Sequence, residues 1–295
     1  MNQSAGPRPA PFGARLRAAM DTRGPLCVGI DPHPHLLAAW NLPDTAAGLA
    51  RFCRTAVEAL AGRVAIVKPQ SALFERHGSA GIAVLEELLA GLRERATLSL
   101  LDAKRGDIGS TMAAYADAYT RADSPLRADA LTASPYLGFE SLRPLLDAAR
   151  AAGTGVFVLG LTSNPEGAAV QHARDRAGRA VAATIADHVR ADNAGDRPLG
   201  SVGLVVGATV GAAAADLGID LAATNAPLLC PGIGAQGGDP AGLGAVFGPA
   251  IGNVLPSASR EVLAAGPHAH RLAQAADRLT EQCRRAVTPP ADGAE

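Results

Sequence analysis

Short apolar runs alternate along the chain with longer segments in which apolar residues recur every three or four positions. Eight of these runs are candidate strands, at positions 26–30 (LCVGI), 64–68 (VAIVK), 97–102 (TLSLLD), 130–134 (ALTAS), 155–161 (GVFVLGL), 202–207 (VGLVVG), 227–232 (PLLCPG) and 251–256 (IGNVLP). Almost every position within a run is apolar, which is typical of parallel strands that are covered on both faces. The segments between the runs have the one-sided pattern of helices that cover a sheet.

Eight units of one strand and one helix predict a (β/α)₈ barrel, known as a TIM barrel. An open, doubly wound sheet is the alternative, because it uses the same alternation of strands and helices. A GxGxxG motif after the first strand would favour the open sheet, but GIDPHPH follows that strand. We therefore expect a single α/β domain over residues 1–295, folded as a (β/α)₈ barrel.

Three segments depart from this regular alternation. The first residues are polar and rich in Pro and Gly, and the chain ends in VTPPADGAE, so we expect flexible tails at residues 1–11 and 287–295. The segment 165–200 is long for one covering helix and its loop. We expect it to contain a helix and an extra segment near the catalytic face of the barrel.

Composition and charge narrow the classes of partner. The net charge of −1 gives no overall field that would attract nucleic acid or an anionic membrane, so we expect neither partner. No apolar run reaches the roughly 18 residues of a membrane-spanning helix. The four cysteines are widely spaced, and the first residues lack the apolar core of a signal peptide, which indicates reduced thiols in a cytoplasmic protein.

The distribution of lysine draws attention to two positions. The chain has 27 lysines and arginines, but only Lys68 and Lys104 are lysines, and both lie at the ends of predicted strands. An ammonium group can give up a proton and change its pKa on burial, whereas a guanidinium group keeps its proton at ordinary pH.

Polar residues follow the ends of several predicted strands, where barrels of this kind carry their catalytic groups. Asp102 and Lys104 are two positions apart on an extended chain, so we expect their side chains to leave the same side. Lys68 ends the neighbouring strand, and Asp107 follows shortly after Lys104. Such an array of alternating charge keeps the amines protonated and the carboxylates ionised. A structural cluster of salt bridges is the other interpretation of the same four residues.

The run Asp-Ala-Lys-Arg-Gly-Asp-Ile-Gly-Ser-Thr at 102–111 resembles the Asp-x-Lys-x-x-Asp-Ile-x-x-Thr motif of orotidine 5′-phosphate decarboxylases. Four further segments resemble the longer bacterial branch of that family, in the same order: CVGIDPHP (27–34), VKPQSALFE (67–75), LTSNPEG (161–167) and PGIGAQGGD (231–239). The resemblance implies decarboxylation of orotidine 5′-monophosphate (OMP) to uridine 5′-monophosphate (UMP), the last step of de novo UMP synthesis, without a metal or an organic cofactor.

The resemblance also implies roles for individual residues. The implied catalytic residues are Lys68, Asp102, Lys104 and Asp107, with Lys104 protonating C6 and Asp102 lying beside the substrate carboxylate. The implied substrate-binding residues are Asp31, together with Lys68, for the ribose, Ser163 for the pyrimidine, Gln236 and Arg260 for the 5′-phosphate, and Ile108, Thr111, Pro231 and Gly232. Asp107 and Thr111 would reach the site of a partner subunit, which implies a homodimer.

Two observations bear on the phosphate site. Barrels often bind phosphate with the loops after strands seven and eight, where the glycine-rich segment 232–238 and Arg260 lie. Arg260 follows PSAS, whereas shorter members of the family place this arginine in a Gly-Arg-Ser context.

Other functions use a similar set of residues. A magnesium-dependent sugar-phosphate decarboxylase or aldolase of related fold shares the Asp-x-Lys-x-x-Asp core, although the LTSN segment and the Ile108–Thr111 pairing favour the orotidine family. An aldolase could use Lys104 to form a Schiff base, and a nucleotide-binding barrel could lack catalysis altogether. The His-x-His pairs at 33–35 and 268–270 have no carboxylate or cysteine at ligand spacing, so we expect no metal site there.

Overall fold

Eight parallel strands close into a barrel in chain order in the computed structural model, which describes residues 10–234 and 237–288. The strands are β1 (Cys27–Ile30), β2 (Ile66–Pro69), β3 (Leu98–Arg105), β4 (Ala130–Ala133), β5 (Gly155–Leu161), β6 (Val202–Val206), β7 (Leu228–Pro231) and β8 (Val254–Ala258). Pairing of β8 with β1, which aligns Ser257 with Cys27, closes the sheet. The predicted (β/α)₈ barrel is confirmed, and the open sheet is excluded.

One helix precedes the first strand, and the others connect or follow the strands. They are α1 (Phe12–Arg23), α2 (Pro34–Ala39), α3 (Ala46–Leu60), α4 (Ala72–Glu75), α5 (Gly78–Glu94), α6 (Gly109–Thr120), α7 (Arg143–Ala152), α8 (Ala168–Gln171), α9 (Val181–Asp192), α10 (Ala213–Asp216), α11 (Leu243–Phe247), α12 (Arg260–Leu263) and α13 (Ala269–Val287). Short 3₁₀ turns lie at Phe139–Leu142, Pro165–Gly167, Ala222–Thr224, Pro240–Gly242 and Gly248–Asn253. No helix in the described part of the chain is long and apolar enough to cross a membrane.

Sequence signals account for several helix ends. The side chain of Thr45 accepts a hydrogen bond from the backbone N–H of Gly48 and so caps the start of α3. Helix α7 has a proline in its first turn and is followed by Gly153, whose φ of 70° is left-handed. The eighth strand begins later than predicted, because residues 251–253 belong to a 3₁₀ turn.

The core has two layers. The larger layer lies between the covering helices and the outer faces of the strands. The smaller layer fills the inside of the barrel, where side chains from the strands pack against Phe12, Leu16 and Met20 of α1. The ring of Phe12 meets that of Phe157 edge to face, with 5.9 Å between centroids. Helix α1 therefore closes one end of the barrel and leaves the carboxyl ends of the strands open.

The segment 165–200 contains both a covering helix and additional structure. The 3₁₀ turn at Pro165–Gly167, α8 and an antiparallel bridge between Arg174 and Ala180 precede α9. This additional part directly follows the carboxyl end of β5. The proposed tails fall mostly outside the described residues. Val287, which we expected in a tail, instead ends α13, because its side chain packs into the core and is 8% exposed.

Candidate active site

A cavity of about 350 Å³ lies at the carboxyl ends of the strands and receives residues from all eight. Its size lies at the lower end of the range of roughly 300–1,000 Å³ for small-molecule sites. The predicted site residues that line it are Asp31, Lys68, Asp102, Lys104, Ser163, Pro231, Gly232 and Arg260. The barrel thus brings together eight residues that the sequence distributes over about 230 positions.

Three other predicted residues are described and are not among those that line this cavity. Asp107, Ile108 and Thr111 follow β3 but do not line the cavity of their own chain. The carboxylate of Asp107 accepts a hydrogen bond from the backbone N–H of Ile108, whose side chain is 61% exposed. Gln236 lies outside the described residues. Of the four charged residues that the sequence suggested as one array, Lys68, Asp102 and Lys104 line the cavity of their own chain, and Asp107 does not.

The carboxylate of Asp102 is surrounded by hydrogen-bond donors from three strands. Its Oδ2 accepts from Nζ of Lys68 at 2.9 Å and from Nε2 of Gln70 at 3.2 Å. Its Oδ1 accepts from Nζ of Lys104 at 2.5 Å and from the hydroxyl of Thr132 at 2.9 Å. One buried carboxylate thus holds two ammonium groups at the floor of the cavity.

Charge outweighs burial in setting the protonation of this cluster. Burial alone would raise the pKa of Asp102, but the neighbouring charges of Lys68 and Lys104 hold it well below its ordinary value. Burial alone would lower the pKa of Lys68, but the carboxylates of Asp102 and Asp31 raise it above its ordinary value. Asp102 is therefore ionised and Lys68 protonated at neutral pH, as the sequence predicted.

The end of β3 is irregular where it carries these groups. The pairing with β4 shifts between Leu101 and Arg105, and Lys104 has a φ of +46°. A non-glycine residue in this left-handed region costs about 1–3 kcal/mol, which the surrounding structure must offset. The side chains of Asp102 and Lys104 do meet, as predicted, although the backbone at Lys104 is not a regular extended strand.

The loops after β7 and β8 lie side by side at another part of the cavity. Gly232 and Gly234 have positive φ values of 105° and 73°, which favour glycine. Arg260 begins α12 beside this loop and lines the cavity. Within the described residues, Oδ1 of Asp31 and Oγ of Ser259 are buried and have no hydrogen-bond partner. Both residues also line the cavity.

Sequence reasoning missed several residues of the site. Gln70 and Thr132 bind the carboxylate of Asp102, and His33, Ser257 and Ser259 also line the cavity. A threonine within the apolar run 130–134 and a glutamine just after the run 64–68 were the available signals. Leu159, Val205 and Leu229 supply apolar walls.

The described residues contain no group of three or more His, Cys, Asp or Glu side chains that could hold a metal ion. The rings of His33 and His35 stack with centroids 5.4 Å apart, and those of His268 and His270 stack at 5.7 Å.

The chain resembles known proteins over nearly its whole length. Residues 24–275 match the model of the orotidine 5′-phosphate decarboxylase / HUMPS family. A protein from Salinispora arenicola named orotidine 5′-phosphate decarboxylase is 61% identical over 277 residues, which cover 94% of this chain and 98% of the relative. A protein of the same name from Streptomyces coelicolor is 60% identical over 279 residues, which cover 94% of this chain and 99% of the relative.

Solved structures of proteins with the same name also resemble this chain over nearly its whole length. One is a crystal structure of a protein from Streptomyces avermitilis that has been provisionally named orotidine 5′-phosphate decarboxylase. It superposes with a TM-score of 0.92 at 59% identity and covers 97% of this chain and 99% of that one. The structure of an OMP decarboxylase from Leishmania donovani has a TM-score of 0.72 at 31% identity and covers 94% of this chain and 99% of that one.

Proposed function

The chain belongs to the orotidine 5′-phosphate decarboxylase / HUMPS family, and on this premise we propose that it converts OMP into UMP and carbon dioxide without a cofactor. The family description names both orotidine 5′-phosphate decarboxylase and HUMPS, so membership alone does not select one activity. The relatives at about 60% identity are named orotidine 5′-phosphate decarboxylase, and they support the first of the two. The observation that carries the proposal is the Asp102 carboxylate held between the ammonium groups of Lys68 and Lys104 inside the cavity.

The proposed reaction matches the chemistry of this cluster. Cleavage of the bond between C6 and the carboxylate releases carbon dioxide and leaves an electron pair on C6. A fixed ammonium group beside C6 stabilises this charge and donates a proton to it. Lys104 is our candidate, because its side chain is 46% exposed and its amine can regain a proton from water after each turnover. Lys68 is almost fully buried, which suits an anchoring role.

The remaining polar groups of the cavity supply contacts for the rest of the substrate. We assign the ribose to Asp31 and Lys68, and the pyrimidine edge to Ser163. The 5′-phosphate is assigned to Arg260, Gln236 and the glycine-rich loop at Pro231 and Gly232, since loops after strands seven and eight often bind phosphate in barrels. The position of Asp31 in the lining of the cavity supports its assignment to a ribose hydroxyl.

A homodimer with shared sites is supported by the surface around the cavity. Ile108, Tyr136 and Leu137 are large, exposed apolar or aromatic residues that follow β3 and β4. Large exposed apolar side chains after two neighbouring strands favour an interface at this end of the barrel. We propose that a second copy covers it and receives Asp107 and Thr111 in its own site, with Ile108 at the contact. The four unpaired cysteines support a cytoplasmic location.

The change in ultraviolet absorbance of OMP on addition of purified protein tests the reaction directly. We expect conversion to UMP that is unaffected by EDTA. Lys104→Ala removes the proposed proton donor and should lower kcat by at least about 100-fold. Lys104→Arg is the matched control, because it keeps the charge but holds its proton too tightly to donate it, so it should not restore activity.

Each alternative predicts a different outcome of this assay. Loss of turnover with EDTA would indicate a magnesium-dependent enzyme, for which sugar phosphates are the next substrates to test. Trapping of a covalent adduct on Lys104 by borohydride would indicate an aldolase. Binding of UMP without turnover of OMP by the folded wild-type protein would indicate a non-catalytic barrel.

A further inference from the structure

Thr132 lies at the point where β3 and β4 cease to pair regularly. Leu101 aligns with Leu131, and Arg105 aligns with Ala133. Three residues of β3, at 102–104, therefore lie opposite the single residue Thr132 of β4. Thr132 is 1% exposed and is one of the few polar residues in the interior of the barrel. A bulge of this kind leaves backbone groups without their ladder partners and redirects side chains.

The hydroxyl of Thr132 makes two hydrogen bonds across this bulge. It accepts from the backbone N–H of Lys104 at 2.9 Å and donates to Oδ1 of Asp102 at 2.9 Å. The same Oδ1 accepts from Nζ of Lys104 at 2.5 Å. One hydroxyl thus contacts both the backbone of Lys104 and the carboxylate that its ammonium group binds.

We propose that Thr132 is a positioning residue, whose hydroxyl holds the ammonium group of Lys104 at a fixed place relative to Asp102. This inference rests on the proposed function, in which Lys104 is the proton donor. Thr132 acts through Lys104 and Asp102 and is assigned no chemical step of its own.

The two lysines of the site differ in how much they need such support. Lys68 is enclosed on a regular strand and is held by the carboxylate of Asp102. Lys104 has a left-handed backbone and a side chain that is about half exposed. Without the hydroxyl, the backbone N–H of Lys104 would lose its partner, and the residue would be free to relax toward a regular extended conformation. The ammonium group would then move away from the position that the reaction requires.

Two substitutions separate the hydroxyl from the space that Thr132 fills. Thr132→Val keeps the shape of the side chain and removes both hydrogen bonds. Thr132→Ser keeps the hydroxyl and removes a methyl group. A role that is only structural would make the two variants similar, or would make the serine variant the worse, because it leaves a small cavity.

Because the sequence contains no lysines other than Lys68 and Lys104, NMR of labelled lysine measures the backbone amide of Lys104 directly. Protein labelled with ¹⁵N-lysine has two backbone amide signals, from Lys68 and Lys104, and Lys104→Arg identifies the second by its loss. In Thr132→Val we expect the amide signal of Lys104 to shift and its exchange with solvent to accelerate at least about tenfold, because its acceptor is gone. The signal of Lys68 is the internal reference and should stay unchanged, and Thr132→Ser should match the wild type.

Kinetics of OMP turnover provide the second readout. A misplacement of about 1 Å can cost on the order of 100-fold in rate, so we expect kcat of Thr132→Val to fall by about that factor. Its KM should change by less than about threefold, since the phosphate and ribose contacts are unaffected. Thr132→Ser should retain kcat within about threefold of the wild type.

The proposal is overturned if Thr132→Val keeps the wild-type kcat, or if Thr132→Ser loses as much as Thr132→Val. An unchanged Lys104 amide in Thr132→Val overturns it as well. Failure of the proposed function is distinguishable, because it shows as an inactive wild-type protein. In that case the amide measurement still decides whether Thr132 holds Lys104.

Discussion

Nζ of Lys68 lies 2.9 Å from Oδ2 of Asp102, and both side chains are less than a tenth exposed. A lysine at such depth retains its charge only while carboxylates lie beside it. Asp102 therefore has two functions in the fold. It offsets the free-energy cost of burying the charge of Lys68. It also binds the ammonium group of Lys104 at the carboxyl ends of the strands.

Replacing Asp102 by asparagine should leave Lys68 as a buried charge with Asp31 as its remaining carboxylate neighbour. We expect the free energy of unfolding at pH 7 to fall by about 3–5 kcal/mol, and the pKa of Lys68 to fall as well. Urea unfolding measures the first quantity, and NMR of ¹³Cε-labelled lysine measures the second. Asp277→Asn is the control, since it breaks an exposed ion pair with Arg63 and should cost less than about 1 kcal/mol. If the free energy of unfolding falls equally in Asp102→Asn and Asp277→Asn, Asp102 does not stabilise a buried charge on Lys68.

The same pair should limit stability at both ends of the pH scale. The pKa of Asp102 lies below its ordinary 3.8, so its contribution is present above that pH and is lost as the pH falls toward the folded-state pKa. The pKa of Lys68 lies above its ordinary 10.5, so its contribution is present below that pH and is lost as the pH rises through the folded-state pKa.

We therefore expect the free energy of unfolding of the wild type, relative to a Lys68→Met/Asp102→Leu variant, to be constant between these two pH values. It should fall on either side of them. Urea titrations at about pH 3, 7 and 11 measure the difference. A difference that stays constant at all three would show that the two groups titrate alike in the folded and unfolded protein.

The packing of α1 into the barrel makes Gly155 sensitive to a single methyl group. A Cβ at this position would overlap the ring of Phe12. Gly155→Ala should lower the free energy of unfolding by about 1–3 kcal/mol. Gly91→Ala is the matched control, because a Cβ there meets its nearest atoms at 3.7 Å. It should stabilise helix α5 by about 0.5–1 kcal/mol.

A double-mutant cycle identifies the cause of the loss. In a Phe12→Ala background the ring is absent, so Gly155→Ala should cost less than half of its value in the wild type. Thermal unfolding of the four proteins provides the comparison. If the cost of Gly155→Ala is the same in both backgrounds, the loss arises from something other than contact with α1.

The sequence predicted the barrel well because buried parallel strands leave a simple signal. Seven of the predicted runs overlap closely with strands. Because β2 and β3 are neighbours in the barrel, Lys68 at the end of β2 contacts Asp102 near the end of β3. The site was predicted less completely. The shift in register between Leu101 and Arg105 brings Thr132 to Asp102 and Lys104, and no periodicity in the sequence indicates such a shift.

Asp107 illustrates a different limit. It lies only three positions after Lys104, yet β3 ends at Arg105 and Asp107 belongs to the short loop before α6. Proximity in the sequence therefore did not bring Asp107 into the cavity of its own chain. Gln70 was missed because nothing in its neighbours indicates that its amide faces inward rather than toward solvent.

Burial should protect all four cysteines from modification. It raises the pKa of Cys27 to about 11 and that of Cys230 and Cys283 to about 12, and it raises the pKa of Cys53 further. Because the thiolate is the reactive form, we expect none of them to react with Ellman's reagent at about pH 8 in the native protein. All four should react in guanidinium chloride. Rapid reaction of one thiol in the native protein would indicate local opening of the helices that cover it.

The shared site is tested by mixing two inactive variants. Asp107→Ala should be inactive because it removes the proposed contribution to the partner's site, and Lys104→Ala because it removes the proton donor. In a hybrid dimer the site that contains Lys104 receives Asp107 from the other subunit, while the second site lacks both residues. Random exchange at equal concentrations should therefore restore about a quarter of the wild-type activity.

The amount of each variant and the exchange of subunits need separate checks. Mass spectrometry of differently tagged subunits shows whether hybrids form, and mixing two preparations of Lys104→Ala gives the background rate. The exposed Ile108 and the absence of Asp107 from its own chain's cavity are what make recovery the expected result. If hybrids form and activity stays at the background rate, Asp107 acts within its own subunit or has no catalytic role, and the shared site must be abandoned.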